Sequence, residues 1–281
     1  MMIHNTVSDF LVNYEPTTGY LQQYFQKNAS HFEEYFTYHC KNIEEKLKET
    51  VPKHLEKIAD LQAMADEMPV LIVETAKKYE DMYGVSFTKD IHLLVGLYGS
   101  NAYTYRQFIP EIAFCLEKLS PEEQHLRTII AHEFGHALHN ILSDQAGIDW
   151  SAVEWTNPYT WLLQEGCATY FSKQVVQTRE DVYFAFEEDA EWLDFANNNR
   201  TRIIRRFIDD LHSSPPADLF REWFSINGGT IFGYTRLAYY IGYELVAALV
   251  QAYGEHEAVT IWKRKDTKDI LLGQLEALQH S

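Results

Sequence analysis

His132, Glu133 and His136 stand in the order His-Glu-x-x-His inside the stretch IIAHEFGHALHN, residues 129–140. On a helix, two imidazoles four residues apart reach one ion at about 2 Å from each nitrogen, and a glutamate directly after the first reaches a water on that ion. His132 and His136 are therefore candidate Zn2+ ligands. Glu133 is the candidate general base, taking a proton from a water whose pKa zinc lowers to about 7. The neighbouring Ile129, Ile130, Ala131, Phe134 and Gly135 carry no charge. Uncoordinated histidines in so aliphatic a helix would leave polar nitrogens unsatisfied at about 1–3 kcal/mol each, which favours the metal reading. Gly135 costs roughly 1 kcal/mol against alanine in a helix interior, and its missing side chain is useful if another backbone passes close by.

This chemistry needs a helix to carry it. Ser120, Pro121 and Glu123 read as an N-cap, a first-turn proline and the carboxylate of a capping box. Leu126, Ile129, Ile130, Phe134, Ala137, Leu138 and Ile141 then recur at helical spacing, which predicts a helix over 121–142. His125 and His139 share the ligand stripe one or two turns away and read as supporting or surface residues. A third protein ligand must come from elsewhere. The metzincin pattern needs glycine at 139 and histidine at 142, and the chain has His139 and Leu142, so that subclass is excluded. The other common solution takes a glutamate from a following helix. NPYTWLLQEGCATYFSKQ, residues 157–174, offers Asn157 as cap, Pro158 as first residue and Glu165 two turns in, beside the small residues Ala168, Thr169 and Ser172. Glu165 is the candidate third ligand, with Glu154 or Asp149 as substitutes.

HEFGH followed by EGCATY, residues 165–170, resembles the gluzincin zinc metallopeptidases, the peptidase MA clan that contains thermolysin, and especially bacterial families of Zn-dependent proteases. HEFGHALH is also similar to the thimet-type oligopeptidases, although their proline-serine-glutamine after the ligand glutamate is missing. YTRLAYYIGYELV, residues 234–246, resembles the arginine, tyrosine and glycine helix that closes such domains. The resemblance covers residues 90–250. It implies a thermolysin-like core with a small sheet over the active-site helix, and a zinc-dependent hydrolase acting on a peptide or protein substrate. Asn101 and Ala102 match the asparagine-alanine edge segment that pairs with substrate main chain, and the arginine-x-x-tyrosine pattern selects Arg236 and Tyr239 as catalytic groups, Tyr239 as oxyanion stabiliser. Tyr240 points about 100° away from Tyr239 on a helix. One departure stands out: Thr169 occupies the place of an aspartate that orients the first histidine in thermolysin-like members, so what orients His132 is open. An aminopeptidase needs a further carboxylate for the substrate's amino terminus, and Glu111 is the one conceivable residue; endopeptidase or oligopeptidase action is favoured. The contrasting reading is a gluzincin-like metal-binding scaffold or partner-binding protein without proteolysis, against which the intact Glu133 counts.

The rest of the chain sets bounds. At 281 residues and 46% apolar, it can build one large domain or two small ones. A net charge of −17 argues against nucleic acid or an anionic membrane as partner. No run approaches the 18 or more apolar residues of a membrane span, MMIHNTVSDF lacks a basic region and an apolar core, and Cys40, Cys115 and Cys167 are unclustered; the expectation is a cytoplasmic protein. Nothing in the sequence speaks to oligomeric state. Residues 15–83 read as helices, KDIHLLVGLYG (89–99) and EIAFCLEKL (111–119) as strands, and everything after Pro158 as helical apart from INGGTIFGY. The class is α+β, mostly helical. Residues 1–85 form a helical N-terminal region packed on a catalytic unit of residues 86–281, whose C-terminal half is helical, in one continuous structure.

Overall fold

Helical periodicity governs most of the path of the chain, and a short sheet interrupts it. The computed structural model describes residues 1–280. In chain order the elements are β1 (Ile3–Asn5), α1 (Val7–Val12), α2 (Thr18–Lys27), α3 (Ala29–Glu34), α4 (Ile43–Tyr83), β2 (Ile91–Leu94), β3 (Ala102–Thr104), β4 (Ile112–Cys115), α5 (Glu123–Gln145), α6 (Pro158–Val175), α7 (Val182–Ala185), α8 (Ala190–Asn198), α9 (Arg200–Ser213), α10 (Pro216–Trp223), α11 (Leu237–Tyr253), α12 (Glu255–Val259) and α13 (Thr267–Leu278). The class is α+β, mostly helical with a small mixed sheet. Among the described residues no helix is long and apolar enough to cross a membrane. The chain divides into two compact units, Met1–Glu133 and Phe134–Ser281, the division falling inside α5.

In the first unit the strand order is β1-β2-β4-β3. The β1–β2 and β2–β4 pairs are parallel, and β3 runs antiparallel to β4 as an edge strand, with Ala102 opposite Phe114. β2 and β4 are buried at every position, as central strands of a sheet are, and His92 is the polar exception within β2. The 41-residue helix α4 joins what the sequence offers as separate helical stretches, passing through Pro52 and Pro69. Each proline removes an intrahelical donor; the helix is sustained by an apolar face that buries Leu61, Met64, Met68, Ile72 and Tyr79. Gly84, at φ 66°, ends it. The rings of His4, His31 and His92 lie at centroid distances of 4.9 to 5.2 Å, His4 stacked on His92 and His31 tilted against both, and His92 donates from Nε2 to Glu111 at 2.8 Å.

The second unit is built around α6 and α11. Gly166 and Gly242 face each other where these helices cross, and a Cβ built on Gly166 would stand 2.2 Å from the Gly242 carbonyl oxygen. Behind α5, Trp262 donates to Ser143 Oγ at 2.7 Å and stacks on His139 at 4.3 Å.

Burial holds several imidazoles neutral, with a consequence for stability. Burial pushes His54 and His39 down to about 4. A base whose folded pKa is depressed stabilises the fold above its unfolded value of about 6.5, and that contribution is lost as the pH falls toward the folded value. Urea midpoints should therefore decline from pH 7 through 6 to 5, and His54→Gln should show a shallower decline than the wild type. An identical slope in both proteins would contradict this assignment.

Candidate metal centre

α5 begins at Glu123, two residues later than its apparent first-turn proline indicates. Ser120 Oγ receives the Glu122 N–H at 3.3 Å and meets His125 Nδ1 at 2.8 Å, while the Glu123 carboxylate accepts from Arg127. The expected reciprocal capping box is therefore replaced: the acid that would have closed it is drawn to an arginine one turn on. Deeper in the helix, the fully buried Tyr79 donates to the Ala131 carbonyl at 2.9 Å and pins the turn just ahead of His132.

His132 and Glu133 are buried, at 2% and 7% exposure. His136 and Glu165 keep more access, with side chains 15% and 21% exposed. His132, His136 and Glu165 each offer one ligand atom, and these atoms lie within 4.8 Å of one another, the one such group of three or more metal-binding side chains among the described residues. His136 Nε2 stands 3.5 Å from Glu165 Oε2, longer than a usual N–H···O bond of about 2.9 Å. It matches the spacing of about 3.4 Å between two donors on a tetrahedral ion with bonds near 2.05 Å. Two imidazole nitrogens and a carboxylate oxygen are the donor set of catalytic zinc, so the residues fit that ion.

Glu165 owes its place to α6. The Asn157 side chain accepts the Tyr159 N–H, and Pro158 opens the helix as the sequence reading expects. Gly135 of α5 meets α6 at Ala168, where a built Cβ would lie 2.8 Å from the Ala168 carbonyl oxygen and 2.9 Å from its Cα. Here is the close backbone for which the mid-helix glycine is needed. Gly135→Ala should cost about 1–3 kcal/mol and weaken zinc binding, because α6 must retreat; thermal melts with and without added zinc measure both, and unchanged values would remove the crossing from the account.

Other sequence candidates sit as follows. Glu154 is exposed and bound by Lys268 and Asn157, and Asp149 caps the turn at Ser151; neither belongs to the histidine group. Glu111 is held by His92. His139 is wholly buried, with burial pushing it down to about 3, and lies outside the group as well. Thr169 Oγ1 is buried without a hydrogen-bond partner among the described residues. Asn101 and Ala102 lie at the start of the edge strand. The Asn101 carbonyl accepts from Cys115 N at 2.7 Å, and Asn101 Oδ1 takes the Ala102 N–H at 2.9 Å. Burial raises the Cys115 thiol well above its usual value, and the carboxylates of Glu117 and Glu133 add to that shift. Arg236 differs from expectation in backbone. It is the residue before α11, at φ 59°, rather than a member of the helix, and its guanidinium donates to the Ala185 carbonyl at 3.4 Å. Tyr239 lies in the first turn of α11 with its ring edge-on to Phe186, while the Tyr240 hydroxyl is engaged with Asn197 at 3.0 Å. The sequence reading passed over Glu117, a buried carboxylate; an acid inside the apolar run EIAFCLEKL was the signal available.

No curated protein matches the chain, and no solved structure does. Residues 13–260 match the model of a family described as "Putative zinc dependent peptidase (DUF5700)". With nearly the whole chain inside that match and a histidine, histidine and glutamate group compatible with zinc at its centre, the protein belongs to this family of zinc-dependent peptidases.

Proposed function

We propose that the protein is a gluzincin-type metallopeptidase that hydrolyses internal bonds of peptides, with His132, His136 and Glu165 holding zinc and Glu133 as general base. The convergence of the three ligand atoms within 4.8 Å, with Glu133 next in sequence to the first of them, is the observation that carries this reading. Zinc, when bound, acidifies a water in its open position and polarises the scissile carbonyl. Glu133 accepts the proton of the attacking water and delivers it to the leaving amine. The Tyr239 O–H donates a hydrogen bond to the oxygen that becomes negative, and Arg236, the residue before α11, assists it. Asn101 and Ala102, at a sheet edge, pair with the main chain of the substrate. Action within peptides, rather than at their amino termini, is supported by the engagement of Glu111 with His92, which leaves no sequence-nominated carboxylate for a terminal amine.

The test is metal analysis of the purified protein together with cleavage of a degenerate peptide library before and after chelation. One zinc per chain with chelator-sensitive internal cleavage is expected; one zinc with no cleavage would return the chain to a scaffold role. Tyr239→Phe should lower turnover by about 10²–10³-fold, the usual consequence of losing one oxyanion donor, with zinc content and melting temperature unchanged. Normal turnover in this variant would make Tyr239 a packing residue.

A further inference from the structure

The turn between β2 and β3 is held in an unusual way. Four consecutive backbone N–H groups alternate between two buried side chains: Gly96 and Tyr98 donate to the Glu117 carboxylate at 2.8 and 3.0 Å, and Leu97 and Gly99 donate to the Tyr35 hydroxyl at 2.7 and 2.9 Å. The Gly96 carbonyl meanwhile accepts from His54 at 2.9 Å. Glu117 is 1% exposed and Tyr35 wholly buried. Side chains are excluded from the turn as well, since a Cβ on Gly96 would lie 2.5 Å from the Tyr35 hydroxyl and one on Gly99 equally close to the His39 carbonyl oxygen. Tyr98 adopts a left-handed φ of 55° within it.

The residues that follow this turn are Ser100, Asn101 and Ala102. Asn101 and Tyr105 bond across to β4 through the Cys115 N–H and the Glu111 carbonyl, so by antiparallel alternation the N–H and C=O of Ala102 point away from β4. Ser100 Oγ donates to that carbonyl at 3.0 Å, and Asn101 Oδ1 takes that N–H. A fixed turn thus delivers a strand edge bonded to Cys115 at the end of β4.

We infer that Glu117 and Tyr35 are positioning residues for substrate, setting through the 96–99 turn the edge at 100–102 along which a peptide main chain pairs. The inference rests on the peptidase reading above. Burial pushes Glu117 up to about 7, so near neutral pH its charged form, which can accept at both oxygens, is maintained chiefly by the N–H groups of this turn. The carboxylate is therefore tuned to the turn rather than to solvent.

The experiment uses the zinc-loaded full chain and the variants Glu117→Gln and Tyr35→Phe. Amide hydrogen exchange is followed over residues 95–104, with KM and kcat for a peptide that the wild type cleaves. In each variant exchange should quicken, and KM should rise about 10-fold, the effect of one lost charge-assisted or buried hydrogen bond, with kcat and zinc content unchanged. Faster exchange with wild-type KM would make the clamp purely structural and overturn the inference while leaving the peptidase reading intact. Failure of both variants to fold would overturn it too, marking the clamp as a requirement of the fold. A wild type that cleaves no peptide would overturn the parent reading and this one together.

Discussion

Glu133→Gln is expected to keep its zinc and lose at least about 10²–10⁴-fold in turnover, the range that a positioned general base contributes. The substitution keeps the shape of the side chain and removes its proton affinity, so stability and metal content should not move. Glu133 is 7% exposed and adjacent in sequence to His132 on a helix turn anchored by Tyr79, which leaves little room for a rearranged substitute. Zinc analysis, a melting curve and initial rates on one cleaved peptide suffice. A variant as active as the wild type would end the hydrolase reading, and one that loses zinc would place Glu133 among the ligands.

Removal of a ligand should act on the metal itself. His132→Ala is expected to abolish stoichiometric zinc, and Glu165→Ala to weaken affinity well beyond the about 10–100-fold typical of residues that merely support a ligand. Both should also lose the zinc-dependent rise in melting temperature, because a ligand present at 1,000 times its Kd stabilises the native state by about 4 kcal/mol. Glu154→Ala is the control, its carboxylate being exposed and bound by Lys268. If Glu165→Ala bound zinc normally while Glu154→Ala did not, the third ligand would have to be reassigned.

The helices around the site were legible because local chemistry and packing agree there. The apolar period from Leu126 to Ile141, the Asn157-Pro158 start and the small strip at Ala168 each reflect short-range requirements that the sequence carries openly. What escaped depended on distant partners. β1 is three residues long and pairs with β2 across 88 positions, too short for alternation to register. β3 is equally short, and it entered only as a segment able to pair with substrate. The helical reading of residues 15–83 carries no sign that 43–83 is one helix, which its buried face sustains through Pro52 and Pro69. Glu117 was hidden for a different reason: its partners are backbone groups, which have no signature in residue type.

The meeting of Gly166 with Gly242 has a consequence for how this chain tolerates change. Where two helices meet glycine against glycine, the backbone of one sets how closely the other approaches, and the nearest side-chain atom, Val246 Cγ2, stands 2.9 Å from a Cβ built on Gly166. Glu165 is the residue beside that contact. Either glycine is therefore intolerant of even one added methyl group, which would displace α6 and with it the carboxylate of Glu165. In this half of the molecule, sequence drift should be as restricted at these two positions, which bear no side chain at all, as at the ligand positions they help to space.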